Sequence, residues 1–140
     1  MSTRKLILTA LICGLAIMLA GGIKLFQTAN NDKEIEILAI GQEAVLGDMT
    51  VSVRSIEQGL QGTIVAVQMM GVDGADINEG WRLLTGATVL QPSEAGSQNS
   101  VPCATLSIDT AVSCDIIFAP TTGRITVAYL RSGLQKQWSR

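Results

Sequence analysis

Residues 63–70 read TIVAVQMM, an uncharged, β-rich run between Gly62 and Gly71. Such a run is the pattern of a strand buried on all or most of its surface, which places it at the centre of a sheet. Upstream, Met49, Val51, Val53 and Ile56 alternate with Thr50, Ser52, Arg54 and Ser55 until the last step slips by one. That predicts a strand with one wet face, ending at a bulge or a strand end. Turns are expected at 59–62 and at Gly47-Asp48, with earlier β signals at 35–40 and 43–46.

Downstream, GVDGADINEG (71–80) is loop by composition, and short strands are expected at 81–84 and 87–90. Residues 92–102 have no apolar periodicity and are expected to form the most mobile loop. Residues 105–108 and 111–118 flank Asp109-Thr110 as the arms of a hairpin would, and 124–130 and 135–138 supply the last strands. Short strands at turn-punctuated spacing, with no helical pattern after residue 26, predict an all-β domain, an antiparallel β-sandwich.

Of three cysteines, Cys13 lies in the apolar N-terminal run and Cys103 and Cys114 lie in the β domain. An even pair in an exported domain predicts a disulfide. A turn at Asp109-Thr110 does not quite bring the two opposite each other; a turn one residue tighter, or a bulge, would. Two reduced core cysteines are the alternative. Closing a loop of about a dozen residues contributes roughly 3 kcal/mol in the chain-entropy model. No CxxC spacing or adjacent cationic cluster marks a redox-active thiol.

Residues 6–26, LILTALICGLAIMLAGGIKLF, form an apolar run of the length a helix needs to cross a bilayer. Arg4 and Lys5 precede it against the single Lys24 within it, so the positive-inside bias predicts a cytoplasmic tip at 1–5 and an exported domain. The expected organisation is tip, transmembrane signal anchor (6–26), polar tether (27–34) and extracytoplasmic domain (35–140). A cleaved secretory signal ending at Ala20-Gly21-Gly22 is a second reading. A lipoprotein signal on Cys13 is a third, opposed by bulky Ile12 before the cysteine. Ala10 and Gly14, Ala16 and Ala20, and Gly21 put small residues where another helix can approach closely, although such residues are common in any membrane helix.

Beyond residue 26 the chain carries seven cationic and twelve acidic side chains, a net of −5, which argues against nucleic acid and against an electrostatic hold on anionic lipid. The absence of histidine removes the commonest general base and metal ligand. No serine has a plausible base, and no cofactor, metal or small-molecule substrate is expected. Asp73, Asp76, Asn78 and Glu79 crowd one loop but lack the ligand order of a calcium loop, so a solvated acidic loop is expected there. Trp81 and Trp138 are the candidate partner-contact residues. Trp81 is equally a core candidate, whereas Trp138, beside Lys136 and Arg140, is expected to be the more exposed.

The succession Ala39-Ile40-Gly41-Gln42 to Ser52-Val53, then 62–68, then 106–118 with Ala119-Pro120, and a closing 127–130 with Trp138, resembles the telokin-like, immunoglobulin-like extracytoplasmic domains of bacterial membrane proteins and lipoproteins. The resemblance covers about residues 37–138 and implies an immunoglobulin-like sandwich used for contact with another protein; its motifs are structural. Gly71-Val72-Asp73-Gly74 stands where resembling domains are Asn-rich, and many of them lack the cysteine pair. The expected function is that of a non-enzymatic, single-span accessory subunit of a larger transport, secretion or respiratory complex. A free-standing secreted or envelope-anchored binding module is the alternative.

Overall fold

The computed structural model describes residues 2–30, 35–94 and 99–140, with side chains described to residue 23 in the first stretch. The chain divides into two compact units, Met1–Glu34 and Ile35–Arg140.

In the first unit a helix, α1, spans Thr3–Asn30. Its window Thr3–Ile23 is 21 residues long and apolar, none of it buried within the protein. At about 1.5 Å per residue that is roughly the 30 Å of a bilayer's hydrocarbon. The helix runs on to Asn30, so residues 27–30, expected in a tether, continue it; 31–34 lie outside the described residues.

Among its described residues the second unit has nine strands: β1 Ile37–Ala39, β2 Glu43–Leu46, β3 Met49–Gln58, β4 Thr63–Met70, β5 Trp81–Thr85, β6 Thr88–Leu90, β7 Val112–Phe118, β8 Ile125–Arg131 and β9 Leu134–Ser139. They form two sheets, β1-β9-β8-β5-β6 and β2-β3-β4-β7. The TIVAVQMM run is β4, between β3 and β7, as a central strand should be. The slip in the Met49 alternation is a bulge: the β3–β4 register shifts between Val53 and Ser55, and Ile56 returns to the buried face. Leu46 pairs with Met49 across Gly47-Asp48, and Gly47 at φ 62 supplies the left-handed first position that a tight two-residue hairpin turn needs.

The expected β-sandwich is present, and two details of it differ from expectation. Its pairing is antiparallel except that β1 pairs parallel to β9, Ile37 opposite Gln137 and Ala39 opposite Ser139. The hairpin about Asp109-Thr110 does not form, since no strand precedes β7 there. Residues 99–111 instead make a strap that leaves β7 and reaches the 71–80 loop. Gly71 N donates to Ser107 O (3.0 Å), Gly74 N to Leu106 O (3.2 Å) and Ile108 N to Asp73 Oδ1 (2.9 Å). Backbone groups offered to a neighbouring loop cannot also serve a local hairpin ladder. The loop expected at 92–102 is present at 92–94 and 99–102, and its mobility at 95–98 lies outside the described residues.

The core lies between the sheets. Val51, Val53, Val65 and Val67 face Trp81, Leu83, Val127, Tyr129 and Trp138, all at most 1% exposed. Each such side chain contributes about 1.5–3 kcal/mol by leaving water. Trp81 stacks at a tilt on Tyr129 (4.7 Å between ring centres) and lies 6.0 Å from Trp138. The indole N–H of Trp138 donates to Gln42 O (2.9 Å), so its polar edge is satisfied in the dry interior.

At one end Thr63 Oγ1 and Thr121 Oγ1 are hydrogen-bonded at 2.7 Å, and Gln58 Nε2 donates to Thr121 Oγ1 (3.2 Å) and Gly123 O (3.2 Å). At the other, Arg131 Nε and Nη2 donate to the two carboxylate oxygens of Asp48 (2.8 and 3.2 Å), joining the end of β8 to the β2–β3 turn of the opposite sheet. This hydrogen bonding holds the exposed Asp48 carboxyl below its ordinary value and raises Arg131 above its own, while burial pushes the Tyr129 phenol up.

Candidate functional site

β7 forms the floor of an open groove of about 480 Å³, walled by the strap on one side and by the 71–80 loop on the other. Asp76, Asn78, Glu94, Cys103, Thr105 and Asp115 are among its lining residues. Cys103 and Cys114 are joined by a disulfide across a Cα–Cα distance of 4.8 Å, so the expected bridge is present without the expected hairpin. The alternative of two reduced core cysteines falls away. Next to the bridge, Asp115 N donates to Val101 O (3.0 Å) and Val101 N to Asp115 Oδ2 (2.7 Å). Higher on the same strand Ser93 N donates to Ile117 O (2.7 Å). The free side of β7 is therefore covered at successive points, which is how a sandwich blunts an exposed strand edge.

The acidic loop does not assemble as one wall. Asp73 accepts the Ile108 N–H and Asp76 Oδ1 accepts the Asn78 N–H (3.0 Å), so both carboxylates hold loop backbone. Glu79 lies apart from Asp76, in a separate depression with Leu130, Arg131 and Ser132. Among the described residues no three His, Cys, Asp or Glu side chains converge as a metal site would require. Gly80 closes the loop at φ 88; a Cβ there would meet Leu130 O at 2.4 Å, and the same backbone contact lets Gly80 O accept the Leu130 N–H.

The two candidate contact tryptophans are core residues. Trp81 and Trp138 are both 0% exposed, which corrects the expectation that Trp138 in particular lies at the surface. Register is the reason. Trp138 pairs with Val127, which pairs with Leu83, and that row points into the sandwich whatever the charge of its neighbours in sequence.

The row one residue over faces outward and was not singled out from the sequence. It carries Ile37, Gln137, Ala128 and Arg82, flanked by Leu130 and Gln135 and by Thr126 and Leu84. Ile37 and Leu130 are 64% and 42% exposed. Arg82, whose Nη1 donates to Trp81 O, is the one charged side chain of this face among the described residues. The outward face of the other sheet carries Glu43, Glu57 and Asp115, with Arg54 at the bulge. On α1, Ala10, Gly14, Ala16, Ala20 and Gly21 are exposed, and a Cβ added at Gly14 or Gly21 would meet nothing within 4 Å.

Neither a protein-family model nor a curated protein sequence matches the chain. Solved structures do match in fold. The chain is similar to the secreted protein MPT63 of Mycobacterium tuberculosis, with TM-score 0.59 and 11% identity over 78% of this chain and 100% of that one. It is similar to the yjhA protein of Bacillus subtilis, with TM-score 0.54 and 12% identity over 72% and 97%. An uncharacterized β-sandwich protein of Clostridium difficile matches with TM-score 0.51 and 8% identity over 78% and 96%. At these identities the likeness establishes a β-sandwich, here preceded by one apolar N-terminal helix.

Proposed function

We propose that the chain is a single-span membrane protein, N-terminus cytoplasmic, whose extracytoplasmic domain is of the telokin-like, immunoglobulin-like kind and binds another protein. It acts without catalysis, as an accessory subunit of a larger transport, secretion or respiratory assembly. The observation that carries this reading is the apolar Thr3–Ile23 helix, which buries none of its surface within the protein and so calls for a hydrocarbon environment. The small-residue positions of α1 and the acid-free outer face of the β1–β9–β8–β5 sheet are surfaces on which such a partner is accommodated. Gentle detergent solubilisation followed by native gel electrophoresis and crosslinking mass spectrometry tests it. A larger species containing this chain is expected, and a protein that always migrates alone sinks the proposal.

A free-standing secreted module is the second reading, favoured by the likeness to a secreted mycobacterial protein. N-terminal sequencing separates the two: a mature start near Ser2 fits the anchor, and a start at Ile23 fits the secreted module.

A further inference from the structure

The strap and the groove share one covalent tie. Of the strap residues, Leu106 alone is fully buried, at 2% exposed, while 104, 105 and 108–111 lie open to solvent. Against β7 the strap is held by the Val101–Asp115 pair and by the disulfide. The two sulfurs are not equivalent. Cys114 is 3% exposed within β7, whereas Cys103 is half-buried and lines the groove, where a small thiol can reach it. A segment with little buried apolar surface and no ladder belongs to the low-stability end of a fold, so the loss of its one covalent bond is felt there first.

We propose that the Cys103–Cys114 bridge is a redox latch: its reduction frees the strap from β7, opens the groove and bares the edge of β7 around Asp115, while the sandwich stays folded. The reductant is an exported dithiol. Its thiolate attacks Cys103 Sγ, the S–S bond breaks, and Cys114 leaves as a thiolate that takes up a proton. The reductant's second thiol then attacks the mixed disulfide and releases Cys103 as a thiol. Two electrons and two protons pass to the protein, and the dithiol departs as a disulfide. The nucleophile is the reductant's, so neither protein cysteine needs a lowered pKa. The latch goes beyond the proposed binding role and is tested without any partner.

The test is hydrogen exchange by mass spectrometry on the full chain in detergent micelles, across a dithiothreitol series. Reduction is expected to raise exchange at least tenfold in 71–80 and 99–111, read at labelling times too short for β3, β4 and β8 to exchange through global unfolding in either form. C103A/C114A is expected to show the raised exchange without reductant and to be insensitive to it. Exchange rising throughout the sandwich would mean that the bond staples the whole fold, and unchanged exchange would mean that the strap holds without it; either overturns the latch. Glutathione, a monothiol, is expected to leave its adduct on Cys103, and an adduct on Cys114 overturns the order of attack.

Discussion

In the five-stranded sheet Trp81, Tyr129 and Trp138 sit in continuous ladders and expose at most 1% of their surface, whereas residues 99–111 contain no strand and bury one side chain as deeply as a core residue. Both segments are ordered, by different means. The sheet is held by many weak contacts that water cannot enter. The strap is held by one covalent bond and a few hydrogen bonds whose atoms remain near solvent. Stability within one domain is therefore uneven, and the two regions should answer differently to the loss of a single side chain.

The largest expected effect is on the sheet side. Trp81→Ala removes an indole that contacts Tyr129 and donates to Met69 Sδ, and should cost about 3–5 kcal/mol, read as a fall in the denaturant midpoint of a single cooperative transition. A separate early transition confined to that sheet would break the comparison. Next, C103A/C114A should cost about 3 kcal/mol of global stability through the freed unfolded chain, with native tryptophan fluorescence retained. Loss of the native emission would place the strap and the sheet in one cooperative unit.

Leu106→Ala should cost about 2 kcal/mol, at the low end for a buried leucine because the strap can collapse onto the gap, with raised amide exchange limited to 71–80 and 99–111. Thr121→Val, which deprives Thr63 of its buried partner, should lower stability by about 1 kcal/mol without altering exchange in the strap.

The smallest effect is that of Asp48→Asn. A carboxyl lowered in the folded state contributes stability above its unfolded value, here 3.8, and loses that contribution as pH falls through the folded value below it. The thermal midpoints of wild type and D48N should therefore differ slightly near neutral pH and converge in acid. A gap of constant size across the whole range would remove the Arg131 interaction as its source.

Local pattern made β3, β4 and the strands β5, β6, β8 and β9 readable from the sequence, though not their pairing, because alternation and turn residues act over a few positions. Even the bulge beside Arg54 left its mark as a slipped alternation. What depended on distant partners was not readable. Trp138 sits among Lys136, Gln137 and Arg140, a neighbourhood that suggests solvent, and only its pairing with Val127 turns it inward. The strap was hidden for the same reason: Asp109-Thr110 carries a turn signal, but the backbone of 106–108 is claimed by a loop some thirty-five residues earlier in the chain. The acidic residues 73–79 are close in sequence, but only folding shows that Asp76 and Glu79 line different depressions.

The parallel pairing of β1 with β9 has a mechanical side. In a parallel pair the start of one strand and the end of the other lie at opposite ends, so tension between Ile37 and Ser139 runs along the strands and loads their hydrogen bonds together, in shear. An antiparallel pair pulled from the same two positions would unzip one bond at a time. The ion pair of Glu36 with Lys136 lies in the same seam and adds to what must slip. A domain tugged from the strand that follows its helix would yield by sliding β1 past β9 rather than by peeling.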